Sequence, residues 1–209
     1  MKLFLTSLAS TTLDMVISLL PDHPSASKVA FIKTAADPYM GQAMPWLEAD
    51  HSKLISMGFS LTDYDLKDKD IKTLRTDLSI FQVIFVSGGN TFYLLNEIKK
   101  SGFDVVIKEL LDKGVVYIGA SAGSMIFGPD LNHLIKVDHP EIVPTLKDFT
   151  CLGLIKERIL PHVDREKYAM AHKEIIKQWG DKILLLRDDQ VLVVNGDKIE
   201  VVTKKNDTT

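Results

Sequence analysis

Apolar positions in this chain come in short dense runs separated by longer stretches of mixed periodicity. Lys2 to Ser7, Lys28 to Ala35, Phe59 to Tyr64, Phe81 to Ser87 and Val115 to Gly119 read as strands. Between them, Thr12 to Leu20, Met44 to Met57, Asp70 to Thr76, Thr91 to Ser101 and Asp104 to Lys113 read as helices. Alternating β and α segments, with strands apolar on both faces, predict an α/β fold with a mainly parallel sheet sandwiched by helices. A chain of 209 residues suits one such domain spanning 1–209.

The second half is less regular. Gly128 to Asp148 carries Pro129, Pro140 and Pro144 and reads as loop, followed by an apolar segment from Leu152 to Leu160. A helix from Arg165 to Trp179 leads into Lys182 to Leu186. Gln190 to Val194 and Lys198 to Val202, joined at Asn195-Gly196, predict a terminal β-hairpin. Lys204 to Thr209 reads as a frayed polar tail.

Two loops punctuate this pattern where a parallel sheet binds ligands, at the carboxyl ends of strands. The first is Gly119-Ala120-Ser121-Ala122-Gly123, a G-x-S-x-G stretch between a buried-strand run and a short helix. A serine hydroxyl is a weak nucleophile, so this context matters only if a base and oxyanion donors lie within reach. The second is Ser87-Gly88-Gly89-Asn90-Thr91, whose adjacent glycines free backbone N–H groups to face the crevice, or simply form a tight turn capped by Asn90 or Thr91.

Six histidines could serve as the base. His51 and His172 fall within amphipathic helical patterns, His23 in Pro21-Asp22-His23-Pro24, and His133 and His139 in the irregular stretch. His162 differs because Ile159-Leu160-Pro161 ends a strand-like segment immediately before it, which would bring it to the sheet edge beside Ser121. Its carboxylate partner is Asp188, after the strand Ile183 to Leu186, or Asp138 in the irregular stretch; Asp189 and Asp164 are their less favoured neighbours.

Charge and composition narrow the field further. Basic residues number 25 against 28 acidic ones, net -3, scattered along the chain, which suggests neither a nucleic-acid nor a membrane-surface partner. The single cysteine, Cys151, rules out an intramolecular disulfide and a cysteine-based metal site, and a cytoplasmic location is expected. No HExxH, complete dinucleotide fingerprint or phosphate-binding loop is present, so neither metal nor cofactor is expected.

Phe85-Val86-Ser87-Gly88-Gly89-Asn90-Thr91-Phe92, the Ser121 motif, and Pro161-His162 with Asp164 close behind resemble, in order and spacing, the peptidase E family of serine exopeptidases related to cyanophycinase. The resemblance spans nearly the whole chain. It implies a class I glutamine-amidotransferase-like, flavodoxin-like fold, with Ser121 as nucleophile and His162 as general base. It also implies an oxyanion hole from Gly89 and the Ala122 N–H, with Gly88, Asn90 and Thr91 lining the substrate crevice. Asp138 and Asp188 both match positions for the acid, and Asp188 is favoured because a strand end holds a carboxylate rigidly. The chain order Ser, His, Asp also differs from that of α/β-hydrolases.

The expected activity is removal of an N-terminal residue, aspartate being one candidate, from a dipeptide or short peptide, by a monomer or homodimer. The family's aspartyl dipeptidases carry a longer loop after the histidine, with an arginine for the substrate's side chain; here His162-Val163-Asp164-Arg165-Glu166 leads almost directly into a helix, and Arg165 could substitute only with its side chain turned inward. The alternatives are a related serine hydrolase of isoaspartyl or cyanophycin-type amides or esters, and a binding module that hydrolyses nothing.

Overall fold

The computed structural model describes residues 1–20 and 23–205. Pro21 and Asp22, and the last four residues of the expected tail, lie outside them. Seven strands form one sheet in the order β3-β2-β4-β5-β1-β8-β9. β1 (Lys2–Thr6), β2 (Lys28–Ile32), β3 (Ser60–Tyr64), β4 (Val83–Val86) and β5 (Val116–Ala120) run parallel. β8 (Gln190–Asn195) pairs antiparallel with β1 and turns into β9 (Lys198–Thr203), the expected hairpin.

Period-two alternation within the strands divides the core between two faces. Leu3, Leu5, Ala30, Ile32, Ile84, Val86 and Tyr117 point to one side, where α3 (Ile71–Leu78), α4 (Thr91–Ser101), α5 (Phe103–Asp112) and α7 (Ala169–Trp179) supply Leu74, Phe92, Ile107 and Ile175. Phe4, Val29, Phe31, Phe85 and Ile118 point to the other, against Leu13 and Val16 of α1 (Ala9–Ser18) and Leu54 of α2 (Pro45–Ser56). This is the two-sided burial that the continuous apolar runs predict.

Two differences from the sequence reading affect the site. Of the apolar segment Leu152 to Leu160, only β6 (Arg158–Leu160) is a strand; it leaves the main sheet and pairs in parallel with β7 (Ile183–Leu185). Leu152, Gly153 and Leu154 instead donate backbone hydrogen bonds to Ile126, Gly128 and Phe127, pinning the loop against the turn that follows Ser121. The helix expected from Arg165 starts later: Glu166–Tyr168 form a single 3-10 turn and α7 begins at Ala169.

Candidate active site

β5 lies between β4 and β1 in the sheet, so three loops at the carboxyl ends of neighbouring strands converge. Ser121 leaves β5 with φ 47° and ψ -104°, a strained conformation for a residue with a side chain, and α6 (Ala122–Met125) starts at the next residue. The surroundings fix this turn. Ser121 N–H donates to Thr6 O at 3.0 Å, Ser124 Oγ donates within 2.8 Å of both Thr6 O and Gly119 O, and the buried Tyr117 hydroxyl donates to Gly123 O at 2.7 Å. Gly123 passes so near β4 that a Cβ there would stand 2.2 Å from Val86 O. A sharp, rigid strand-to-helix turn of this kind leaves the serine side chain clear of its own backbone.

The histidine comes from the small second sheet, not from the edge of the main one. β6 ends at Leu160, and His162 follows with φ 59°. Its Nε2 lies 3.0 Å from Ser121 Oγ, and its Nδ1 lies 2.6 Å from Asp188 Oδ1, just beyond β7. Parallel pairing of β6 with β7 therefore delivers imidazole and carboxylate side by side. With Asp188 accepting from Nδ1–H, the Nε2 lone pair faces the serine hydroxyl. Burial opposes ionisation of Asp188, but hydrogen bonds from His162 and Ser7, the charge of His162 and a hydrogen bond from Arg165 hold its carboxyl well below the usual range.

Asp138, the alternative acid, is engaged elsewhere. Its Oδ2 accepts from Thr91 N–H at 2.7 Å, and its carbonyl accepts from Asn90 Nδ2 at 2.6 Å. Burial raises its carboxyl to about 6 against the hydrogen bonds from Thr91. It thus ties the irregular stretch to the Gly88-Gly89 loop, although its side chain still lines the cavity. Asp164 accepts from Asp188 N–H at 3.2 Å, and Asp189 pairs with Arg187 at 3.0 Å.

Gly89 has φ 148°, and a Cβ on it would sit 2.0 Å from Ala35 O. Only glycine fits between the β4 loop and the 3-10 turn Thr34–Tyr39. Ala122 is the first residue of α6, where N–H groups have no partner within the helix. Asn90 N–H donates to Ala35 O at 2.8 Å and its side chain caps α4 by accepting from Tyr93 N–H, while Thr91 lies fully buried.

A cavity of about 460 Å³ opens over Ser121, lined by Gly88, Gly89, Tyr39, Trp46 and Tyr168 among others. Arg165 lines it too, with its Nε donating to Asp188 Oδ2. Three participants lack any motif in the sequence. Ser7, one residue past β1, bonds to both His162 and Asp188; Tyr168 lies 5.8 Å from the His162 ring, centroid to centroid; and His172 stacks on Tyr168 at 5.4 Å.

The other histidines have structural surroundings. Buried His133 contacts Ile159 O through Nε2 at 3.0 Å, and burial lowers it to about 4. His51 packs edge-on against Phe31, His139 pairs with Glu141, and His23 accepts from Ser25 N–H. Among the described residues, no cluster of three or more His, Cys, Asp or Glu side chains is arranged to hold a metal ion, and no helix is long and apolar enough to cross a membrane.

The sequence model of Peptidase family S51 matches residues 3–202. The chain belongs to this peptidase family. An uncharacterized peptidase of Pasteurella multocida (strain Pm70) is 28% identical over 198 residues, covering 94% of each chain. A Drosophila melanogaster protein designated an alpha-aspartyl dipeptidase is 28% identical over 181 residues, covering 78% of this chain and 72% of its own. The crystal structure of a Listeria monocytogenes EGD-e protein assigned to peptidase E superposes with a TM-score of 0.90 at 25% identity, covering 98% of both chains. The S51 match extends from β1 into β9, so it takes in Ser121, His162 and Asp188 together.

Proposed function

We propose that this S51 peptidase is a serine exopeptidase that releases the N-terminal residue of dipeptides or short peptides through an acyl-enzyme on Ser121. The observation that carries this reading is the continuous hydrogen-bonded chain from Asp188 through His162 to Ser121, with links of 2.6 and 3.0 Å. Ser121 Oγ attacks the scissile carbonyl while His162 Nε2 takes its proton, and Asp188 holds Nδ1–H and stabilises the imidazolium. The N–H groups of Gly89 and Ala122 face the developing oxyanion. His162 then returns the proton to the departing amine, breaking the C–N bond, and a water activated by the same imidazole hydrolyses the ester.

Substrate size follows from the enclosure. A cavity of about 460 Å³ walled by Tyr39, Trp46 and Tyr168 suits one or two residues. The parallel sheet and the serine turn after β5 favour assignment to the class I glutamine-amidotransferase-like group, acting as one α/β domain. For an aspartate side chain the cavity offers Arg165 and Lys167. Because Arg165 already donates to Asp188, a related amide or ester hydrolase of different specificity is the second reading.

The test is a panel of X-Leu dipeptides and aminoacyl-anilides with wild type and Ser121→Ala side by side. Cleavage in the panel should fall by at least about 10³-fold in the variant. Equal turnover by the two proteins would refute the role of Ser121, and selective loss of Asp-Leu cleavage in Arg165→Ala would assign the aspartate preference.

A further inference from the structure

We infer that Ser7 is a positioning residue for this hydrolysis, acting through His162 and Asp188 to hold them in register with Ser121. The inference rests on the serine-hydrolase reading above. Ser7 sits one residue beyond β1 and is only 1% exposed, and its hydroxyl joins groups 155 and 181 positions away in the chain. It accepts from His162 N–H at 2.8 Å and stands 2.6 Å from Asp188 Oδ1 and 3.1 Å from His162 Nδ1.

Proton counting assigns the directions. A hydroxyl has one proton and two lone pairs. An ionised Asp188 can only accept, so the Ser7 proton points to Oδ1 and its lone pairs face His162. The Nδ1–H of His162 is then shared between Asp188 Oδ1 and Ser7 Oγ. That arrangement fixes the tautomer whose Nε2 lone pair faces Ser121.

The backbone gives a second reason. At φ 59°, His162 occupies a region costly for a side-chain-bearing residue, and its N–H is secured by Ser7 Oγ. Serines with purely local roles look different here. Those at 18, 56 and 79 each donate to a carbonyl three residues back in the same helix or turn. Ser7 instead couples β1, which borders the nucleophile's own strand, to both arms of the small β6–β7 sheet.

The experiment compares Ser7→Ala, Ser7→Cys and Ser121→Ala with wild type on the best substrate of the panel, recording kcat, KM, thermal unfolding and the pH profile. Loss of the hydroxyl should lower kcat roughly 10- to 100-fold with KM within about twofold. The acid limb of kcat/KM should also move to higher pH, because an Asp188 deprived of one donor attracts the imidazolium more strongly. The charged and titratable groups around His162, namely Asp188, Asp164, Arg165, Tyr168 and His172, are unchanged in these variants.

Ser7→Cys puts a bulkier and weaker donor at the same place, so it should show a limb shift in the same direction but smaller, with a smaller loss of kcat, and it carries the test if Ser7→Ala does not fold. A folded Ser7 variant with wild-type kcat and an unmoved limb would overturn the inference. If that occurs while Ser121→Ala is inactive, only the role of Ser7 falls; if Ser121→Ala is fully active, the serine-hydrolase reading itself falls.

Discussion

Asp50 shows how much one side chain can report. It is 1% exposed on α2, and its Oδ1 accepts from Ser10 N–H at 2.7 Å, capping α1 from the neighbouring helix. Burial pushes its carboxyl up to about 7 against that hydrogen bond. Between the ordinary carboxylate value and pH 7, the folded chain therefore keeps a proton that the unfolded chain has released. The stability from this proton is complete below the ordinary carboxylate value and is lost progressively as pH rises from there to about 7, where the loss ends. Asp50→Asn removes that dependence while keeping an acceptor for Ser10. Urea unfolding should show the variant gaining on wild type by on the order of 1 kcal/mol per pH unit from pH 5 to 7, then no further. A gap independent of pH would contradict the assignment. The sequence alone does not reveal this residue, because α1 carries no capping side chain of its own at Leu8 and the cap comes from 40 positions away. Ser7 was hidden for a similar reason: the role proposed for it depends on β1 being the neighbour of β5, a fact of sheet order and not of local pattern.

At the scale of elements, legibility follows the locality of the stop signals. α4 was readable at both ends, since Asn90 caps its start and Gly102, at φ 75°, its finish. The G-x-S-x-G and Gly-Gly-Asn-Thr loops were readable because each directly follows a strand-like run, although the close approaches their glycines permit, to Ala35 and Val86, involve distant segments. β6 was not, because its three residues pair only with β7 and the apolar stretch before it packs as loop. The β4–α4 loop offers a direct check. Gly89→Ala would force a Cβ to within 2.0 Å of Ala35 O at a φ that side chains rarely adopt. It should destabilise the fold by on the order of 3 kcal/mol, seen as a lower urea midpoint, and displace the proposed oxyanion donor. A variant as stable as wild type would show that this loop relaxes more freely than its contacts suggest.

Across the whole molecule, the candidate site is an assembly of strand ends. β1 contributes Ser7, β4 the glycine loop and β5 Ser121, while the separate β6–β7 pair contributes His162 and Asp188. The proposed nucleophile and base are thus borne on two different sheets, whose separation leaves room for the cavity above Ser121. The mainly parallel sheet and the terminal hairpin were evident in the sequence, but the strand order and the division into two sheets were not, because strands carry no marker of their partner. This architecture makes a sharp claim about which carboxylate serves the base. Asp188 accepts from His162, whereas Asp138 accepts from Thr91. The most direct measurement is the rate of fluorophosphonate labelling, with the modified residue mapped by mass spectrometry, in wild type, Asp188→Asn and Asp138→Asn. An adduct is expected on Ser121, formed about 10³-fold or more slowly in Asp188→Asn and within a few-fold of wild type in Asp138→Asn. An adduct elsewhere, or the reverse order of the two variants, would contradict the claim.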